Sequence, residues 1–166
     1  MEQTGAAATL AAGTLVTGAP QETRAIGRAL GSAAHAGTVL ALVGPLGAGK
    51  TELAKGVAEG LGVTSVVNSP TFVLMNEHVG RLRLFHIDAY RLDDSEEAVA
   101  AGLFDDRQGS GLAVIEWADR LGNRLPPERL ELMIVPAPDG SDGREIDWRA
   151  FGVAHLRLAA DALAGR

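Results

Sequence analysis

A three-layer α/β fold with a mostly parallel sheet and one antiparallel hairpin is what this sequence predicts, on three observations. Two short apolar runs, residues 38–43 and 112–115, lack the alternation of a half-exposed strand and suit strands buried on both faces. The first run leads through a glycine-rich segment into Leu53, Ala54, Val57, Ala58 and Leu61, apolar residues at helical spacing that Gly62 ends. Third, the strand-like runs 72–78 and 82–88 flank Val79-Gly80-Arg81, a connection short enough for a hairpin.

The remaining elements follow from local signals. Pro20, Glu22 and the spacing of Ile26, Ala29 and Leu30 predict a helix over 20–34, with a proline and an acid in its first turn. Ser95-Glu96-Glu97 predicts a helix start, and that helix should end near Gly102. Weaker strand signals lie at 130–135 and 144–146, residues 154–163 predict a terminal helix, and Trp148 and Phe151 read as core aromatics. Residues 5–16, rich in Ala, Thr and Gly, read as a frayed terminus leading into a first strand, with 1–9 flexible. No repeat or linker divides the chain, so 1–166 is read as one domain.

With 166 residues and 46% hydrophobic content, the chain can bury one sizeable core. A net charge of −6 provides no general basic field for a nucleic-acid backbone, so any such contact is expected to be local or through a partner. The absence of Cys excludes disulfides, thiolate zinc sites and a Cys nucleophile. The opening residues lack the basic start and long apolar run of a signal peptide or membrane span, which predicts a cytoplasmic protein without membrane contact.

Residues 44–51 read Gly-Pro-Leu-Gly-Ala-Gly-Lys-Thr. Backbone N–H groups turned inward at the positive end of a helix can hold a phosphate chain, provided side chains do not obstruct them. Gly44, Gly47 and Gly49 remove Cβ atoms where that approach is closest, and Ala48 and Glu52 belong to the same contact segment. Lys50 can reach the β- and γ-phosphates, and the Thr51 hydroxyl can ligate Mg²⁺. A buried strand before the loop and a helix after it complete the context of a P-loop NTPase-like fold that holds Mg-ATP. No Asn-Lys-x-Asp guanine-recognition motif occurs, which favours adenine.

Thr51 supplies one metal ligand, so a carboxylate is expected from another strand end. Glu116 closes the run 112–115 and Asp88 closes the run 84–87; both would lie along one sheet edge if their strands parallel the one before Gly44. His86, between apolar residues, reads either as a packed side chain or as a group that positions water or orients Asp88.

Together these residues resemble the bacterial TsaE (YjeE) ATPase family, which takes part in threonylcarbamoyladenosine modification of tRNA. The phosphate loop at 44–51 is similar to the family's, Asn68-Ser69-Pro70-Thr71-Phe72 to its Ser-Pro-Thr switch, residues 86–92 to its His-x-Asp-x-Tyr-Arg-Leu element, and Ile115-Glu116-Trp117 to its Val-Glu-Trp. Thr23, Gly27 and Gly143-Arg144 extend a weaker likeness to both ends. The resemblance implies Thr51 and Glu116 as Mg²⁺ ligands and Asp88 as a catalytic or water-ordering carboxylate beside Lys50. It further implies a nucleotide-sensing loop from Ser69 to Thr71, with Thr71 at the catalytic site, and places Pro20 and Arg144 near the adenosine side of ATP. Two departures stand out: Glu52, where the family usually has Thr or Ser, and Ala118-Asp119-Arg120, where it usually has a Pro-containing turn.

The expected function is an ATP-driven switch serving tRNA modification by a TsaD–TsaB complex, with tRNA met only indirectly. Isolated turnover should be slow, since no arginine finger is identifiable. The alternatives are a small-molecule kinase, which needs an Arg-bearing lid and substrate acid that the 72–88 hairpin does not fit, and a nucleotide-dependent scaffold without productive hydrolysis.

Overall fold

The structure, a computed structural model, describes residues 8–68, 75–90 and 106–166. Its strands are β1 (Thr9–Thr17), β2 (Val39–Val43), β3 (Met75–His78), β4 (Leu84–Asp88), β5 (Leu112–Glu116), β6 (Arg129–Pro136) and β7 (Arg144–Phe151). Among the described residues the α-helices are α1 (Pro20–Ala33), α2 (Lys50–Gly60) and α3 (Val153–Leu163). The helix expected after Ser95, the first part of the 72–78 strand and the Ser69 to Thr71 loop lie outside the described residues.

All seven strands form one sheet in the order β1-β7-β6-β2-β5-β4-β3. Its centre is parallel, with β2 between β5 and β6 and β4 beside β5. Both margins are antiparallel, through β1–β7, β6–β7 and β3–β4. The sheet is therefore mixed rather than mostly parallel, because β7 returns from β6 as a hairpin and the first strand pairs on its far side. The stretch expected to fray is already paired at Thr9, opposite Phe151. The predicted hairpin is antiparallel, but its connection runs over 79–83 rather than three residues.

The continuous apolar runs are explained by burial on two faces. Leu40 and Leu42 of β2 join one core cluster with α1, α2 and α3, while Ala41 joins another with Ile87, Ile115, Ala118 and Leu121. Among the described residues, the 3-10 segment Ala118–Arg124 covers that second face.

Helices α1 and α2 pack backbone to backbone. A Cβ on Gly27 would come 2.2 Å from the Leu53 carbonyl oxygen, and one on Gly56 would come 2.0 Å from that of Arg24. Only glycine allows this approach, which fixes α1 against the helix that follows the glycine loop. Helix α1 begins with Pro20, and the Gly18 N–H donates to the Glu22 carboxylate. At its other end the Arg81 guanidinium, from the hairpin connection, donates to the carbonyls of Gly31, Ser32 and Ala34 at 2.9, 3.3 and 2.8 Å. Helix α2 stops in a Schellman arrangement: Gly62, at φ 75°, donates to Glu59, and Val63 donates to Ala58. The stop predicted at Gly62 is where the chain leaves the helix.

Candidate functional site

Parallel pairing gathers strand ends at one edge. Leu42 is in register with Glu116, and Glu116 with Asp88, so both acids stand level with the last turn of chain before Gly44. The glycine loop rises from the same edge and enters α2 at Lys50. Gly47 and Gly49 take φ 76° and 107°, and a Cβ on Gly44 would meet the Ile134 carbonyl oxygen at 2.2 Å. With Gly44 at φ 151°, the loop needs glycine for conformation at all three positions and at Gly44 for space as well.

A cavity of about 420 Å³ opens above this edge. It is lined by Gly47, Ala48, Gly49, Lys50, Thr51 and Glu52, by Asp88, Tyr90, Glu116 and Trp117, and by Pro20, Thr23, Asp142 and Arg144. Of the residues singled out in the sequence, Pro20, Gly47, Ala48, Gly49, Lys50, Thr51, Glu52, Asp88, Glu116 and Arg144 are brought together here. Gly44 lies at the root of the loop, and Thr71 lies outside the described residues.

Lys50 is 4% exposed, and its ammonium donates to the Gly44 and Pro45 carbonyls at 2.7 and 2.8 Å, 3.9 Å from the centre of the Trp117 ring. Burial lowers its pKa, while Glu116, Asp119 and Asp88 oppose that shift. Trp117 holds φ 58°, unusual for a bulky residue, and its ring also packs against Tyr90 at 4.8 Å. The turn after β5 thus places an indole face over the lysine.

The Thr51 hydroxyl donates to Glu116 Oε1 at 2.9 Å, and His86 Nε2 contacts Glu116 Oε2 at 2.5 Å. Both histidine and acid are buried. His86 thus orients Glu116. Asp88 accepts the Tyr90 N–H at 2.9 Å, and burial raises its pKa, with the Tyr90 bond working against that shift and Glu116 adding to it. The Ala89 N–H donates to the Glu116 carbonyl at 3.0 Å, which ties the two acid-bearing strand ends together.

Thr51 and Glu116 offer hard oxygen donors suited to Mg²⁺, and the loop offers a compact, positively charged cradle for phosphate, so the residues present fit Mg-ATP. Arg144 and Glu52 line the cavity and also hold protein partners. Arg144 lines the cavity, but its guanidinium donates to the carbonyls of Ala48 (2.7 Å), Gly143 (2.7 Å) and Gly47 (3.2 Å), which clamps the loop's backbone. Glu52 lines the cavity while paired with Arg24, 3.1 Å away. Sequence reading missed Arg24, Tyr90, Trp117 and Asp142 as site residues; Tyr90 and Trp117 lay inside motifs that could have marked them.

A seven-stranded mixed α/β sheet, with a glycine loop leading from its central strand into a helix and two acids at the same edge, defines the class. The family model for "Threonylcarbamoyl adenosine biosynthesis protein TsaE" matches residues 17–146, and the chain belongs to that family. It is 46% identical to the tRNA threonylcarbamoyladenosine biosynthesis protein TsaE of Bacillus subtilis, over 86% of this chain and 88% of that one. The TsaE of Treponema pallidum is 38% identical over 79% of this chain and 96% of its own. Among solved structures, the crystal structure of Bacillus subtilis YdiB superposes with a TM-score of 0.78 at 38% identity, covering 92% of this chain and 94% of that one. The family's work is in threonylcarbamoyladenosine biosynthesis on tRNA. No helix among the described residues is long and apolar enough to cross a membrane.

Proposed function

We propose that the chain, acting as one P-loop ATPase domain in the cytoplasm, binds Mg-ATP and hydrolyses it as a switch on a TsaD–TsaB complex that modifies tRNA. The observation that carries the reading is the convergence of the glycine loop, Lys50, the Thr51–Glu116 pair and Asp88 on one cavity. Lys50 and the loop amides bind the phosphates, and Lys50 offsets charge that develops as the terminal phosphoryl group leaves. Thr51 and Glu116 would hold Mg²⁺, which would supply neutralisation of the phosphate charge. Asp88 orients the attacking water, Trp117 and Tyr90 shield the lysine side, and Thr71 would act with the nucleotide-sensing loop.

Phosphate release measured for the chain alone, with TsaD–TsaB, and with candidate small-molecule acceptors tests this reading against its rivals. Slow release alone and stimulation by the complex are expected. Transfer to a small acceptor would instead make the protein a kinase, and binding without release in either setting would make it a scaffold.

A further inference from the structure

Glu52 presents a contradiction that the nucleotide reading leaves standing. It follows Thr51 in the first turn of α2 and lines the same cavity as Lys50 and Arg144. A carboxylate there suits the helix dipole but repels a polyphosphate.

We infer that Arg24 is a positioning residue that neutralises Glu52 and thereby sets the affinity of the phosphate site, an inference that rests on the nucleotide reading above. Arg24 Nε donates to Glu52 Oε2 at 3.2 Å, and Nη2 lies 3.1 Å from Oε2 and 3.5 Å from Oε1. Lys55 is a more distant second cation, 3.8 Å from Oε1. Arg24 also approaches Glu59 at 3.4 Å, but Arg28 holds that acid at 2.9 Å. The backbone contact at Gly56 fixes Arg24 over α2, because its carbonyl occupies the space a Cβ would fill. Its guanidinium is thereby delivered from a different helix to the acid in the first turn of α2.

Both side chains of the pair are about one-third exposed, at 34% and 33%, so the pair contributes little to folding. The charge on Glu52, by contrast, acts directly on any anion in the cavity. Affinity and stability therefore separate.

The test is calorimetric titration of Mg-ATP and Mg-ADP into wild type and variants, with melting temperature as a second readout. Arg24→Gln should weaken ATP about fivefold, as expected for one unmasked charge at short range in a partly solvated site. The loss should be smaller for ADP, which carries less charge, and the melting temperature should stay within about 2 °C. Arg24→Lys should keep most of the affinity, and Glu52→Gln should bind at least as tightly as wild type. The double variant Arg24→Gln/Glu52→Gln should return to within about twofold of wild type, since the charge to be masked is gone. Glu59→Gln serves as control and should leave ATP affinity unchanged. Undiminished binding in Arg24→Gln, a double variant as weak as the single one, or equal weakening by Glu59→Gln would each overturn the assignment. Wild-type protein that bound no ATP would overturn the nucleotide reading itself, a result distinct from all three.

Discussion

The two ends of the central parallel strands treat buried polar groups in opposite ways. At the end where β2 begins, His155 is 3% exposed and its Nε2 accepts the Val39 N–H at 3.0 Å, while Thr38 bonds His35. These groups complete the fold and do not line the cavity above the glycine loop. At the end where β2 stops, His86 is equally buried, but it holds Glu116, which faces the cavity with Lys50, Thr51 and Asp88. Burial of a titratable group does not mark function. Convergence of several such groups on one open space does.

Asp88→Asn should break the cavity end most sharply in rate: hydrolysis should fall about 100-fold while Mg-ATP affinity stays within about threefold. Single-turnover phosphate release together with equilibrium binding checks this, and a loss confined to affinity would reassign Asp88 to binding.

His155→Leu probes the other end and should do the reverse. It leaves the Val39 N–H without an acceptor and should cost about 2 kcal/mol in denaturant unfolding, with ATP affinity unchanged. The same residue fixes a pH dependence. Burial, assisted by His35, depresses its pKa to about 4 from the ordinary 6.5. Between those values the unfolded chain takes up a proton that the folded chain refuses, so stability is full above pH 6.5 and falls as pH drops toward 4. Unfolding curves across that range should show the loss in wild type and a flatter dependence in His155→Leu.

Glu116→Gln carries the smallest of these effects. It should weaken Mg²⁺-dependent ATP binding about tenfold and leave metal-free binding nearly unchanged. Equal losses with and without metal would show that Glu116 supports the cavity without serving the ion.

Locality decides how much of this was legible in the sequence. The glycine loop and its flanking strand and helix could be read directly, because their roles are set within 38–62 by an apolar run, glycine placement and helical spacing. The central strands were legible because both their faces are buried, which removes polar alternation. Strand β1 was not: its Ala, Thr and Gly residues carry no strand pattern of their own. Gly13 is needed because a Cβ there would meet the Trp148 indole at 2.8 Å, and that partner lies across the antiparallel pairing to β7. The same limit hid the contacts that finish the site. Arg144 clamps a loop 96 residues away, His86 meets Glu116 across 30, and Arg24 meets Glu52 across 28. Each depends on strand register or helix packing that no local signal encodes. The motif likeness could nominate Arg144 and Glu116, but not say what they touch.

Calorimetric titration of Mg-ATP into wild type and Lys50→Ala bears most directly on whether this cavity is a nucleotide site. Lys50 belongs to neither hydrophobic core cluster, so its loss should leave the fold intact, with an unchanged circular dichroism spectrum, while ATP affinity falls about 100-fold through loss of a charge-assisted phosphate contact. A well-folded Lys50→Ala variant that binds Mg-ATP as tightly as wild type would contradict the assignment.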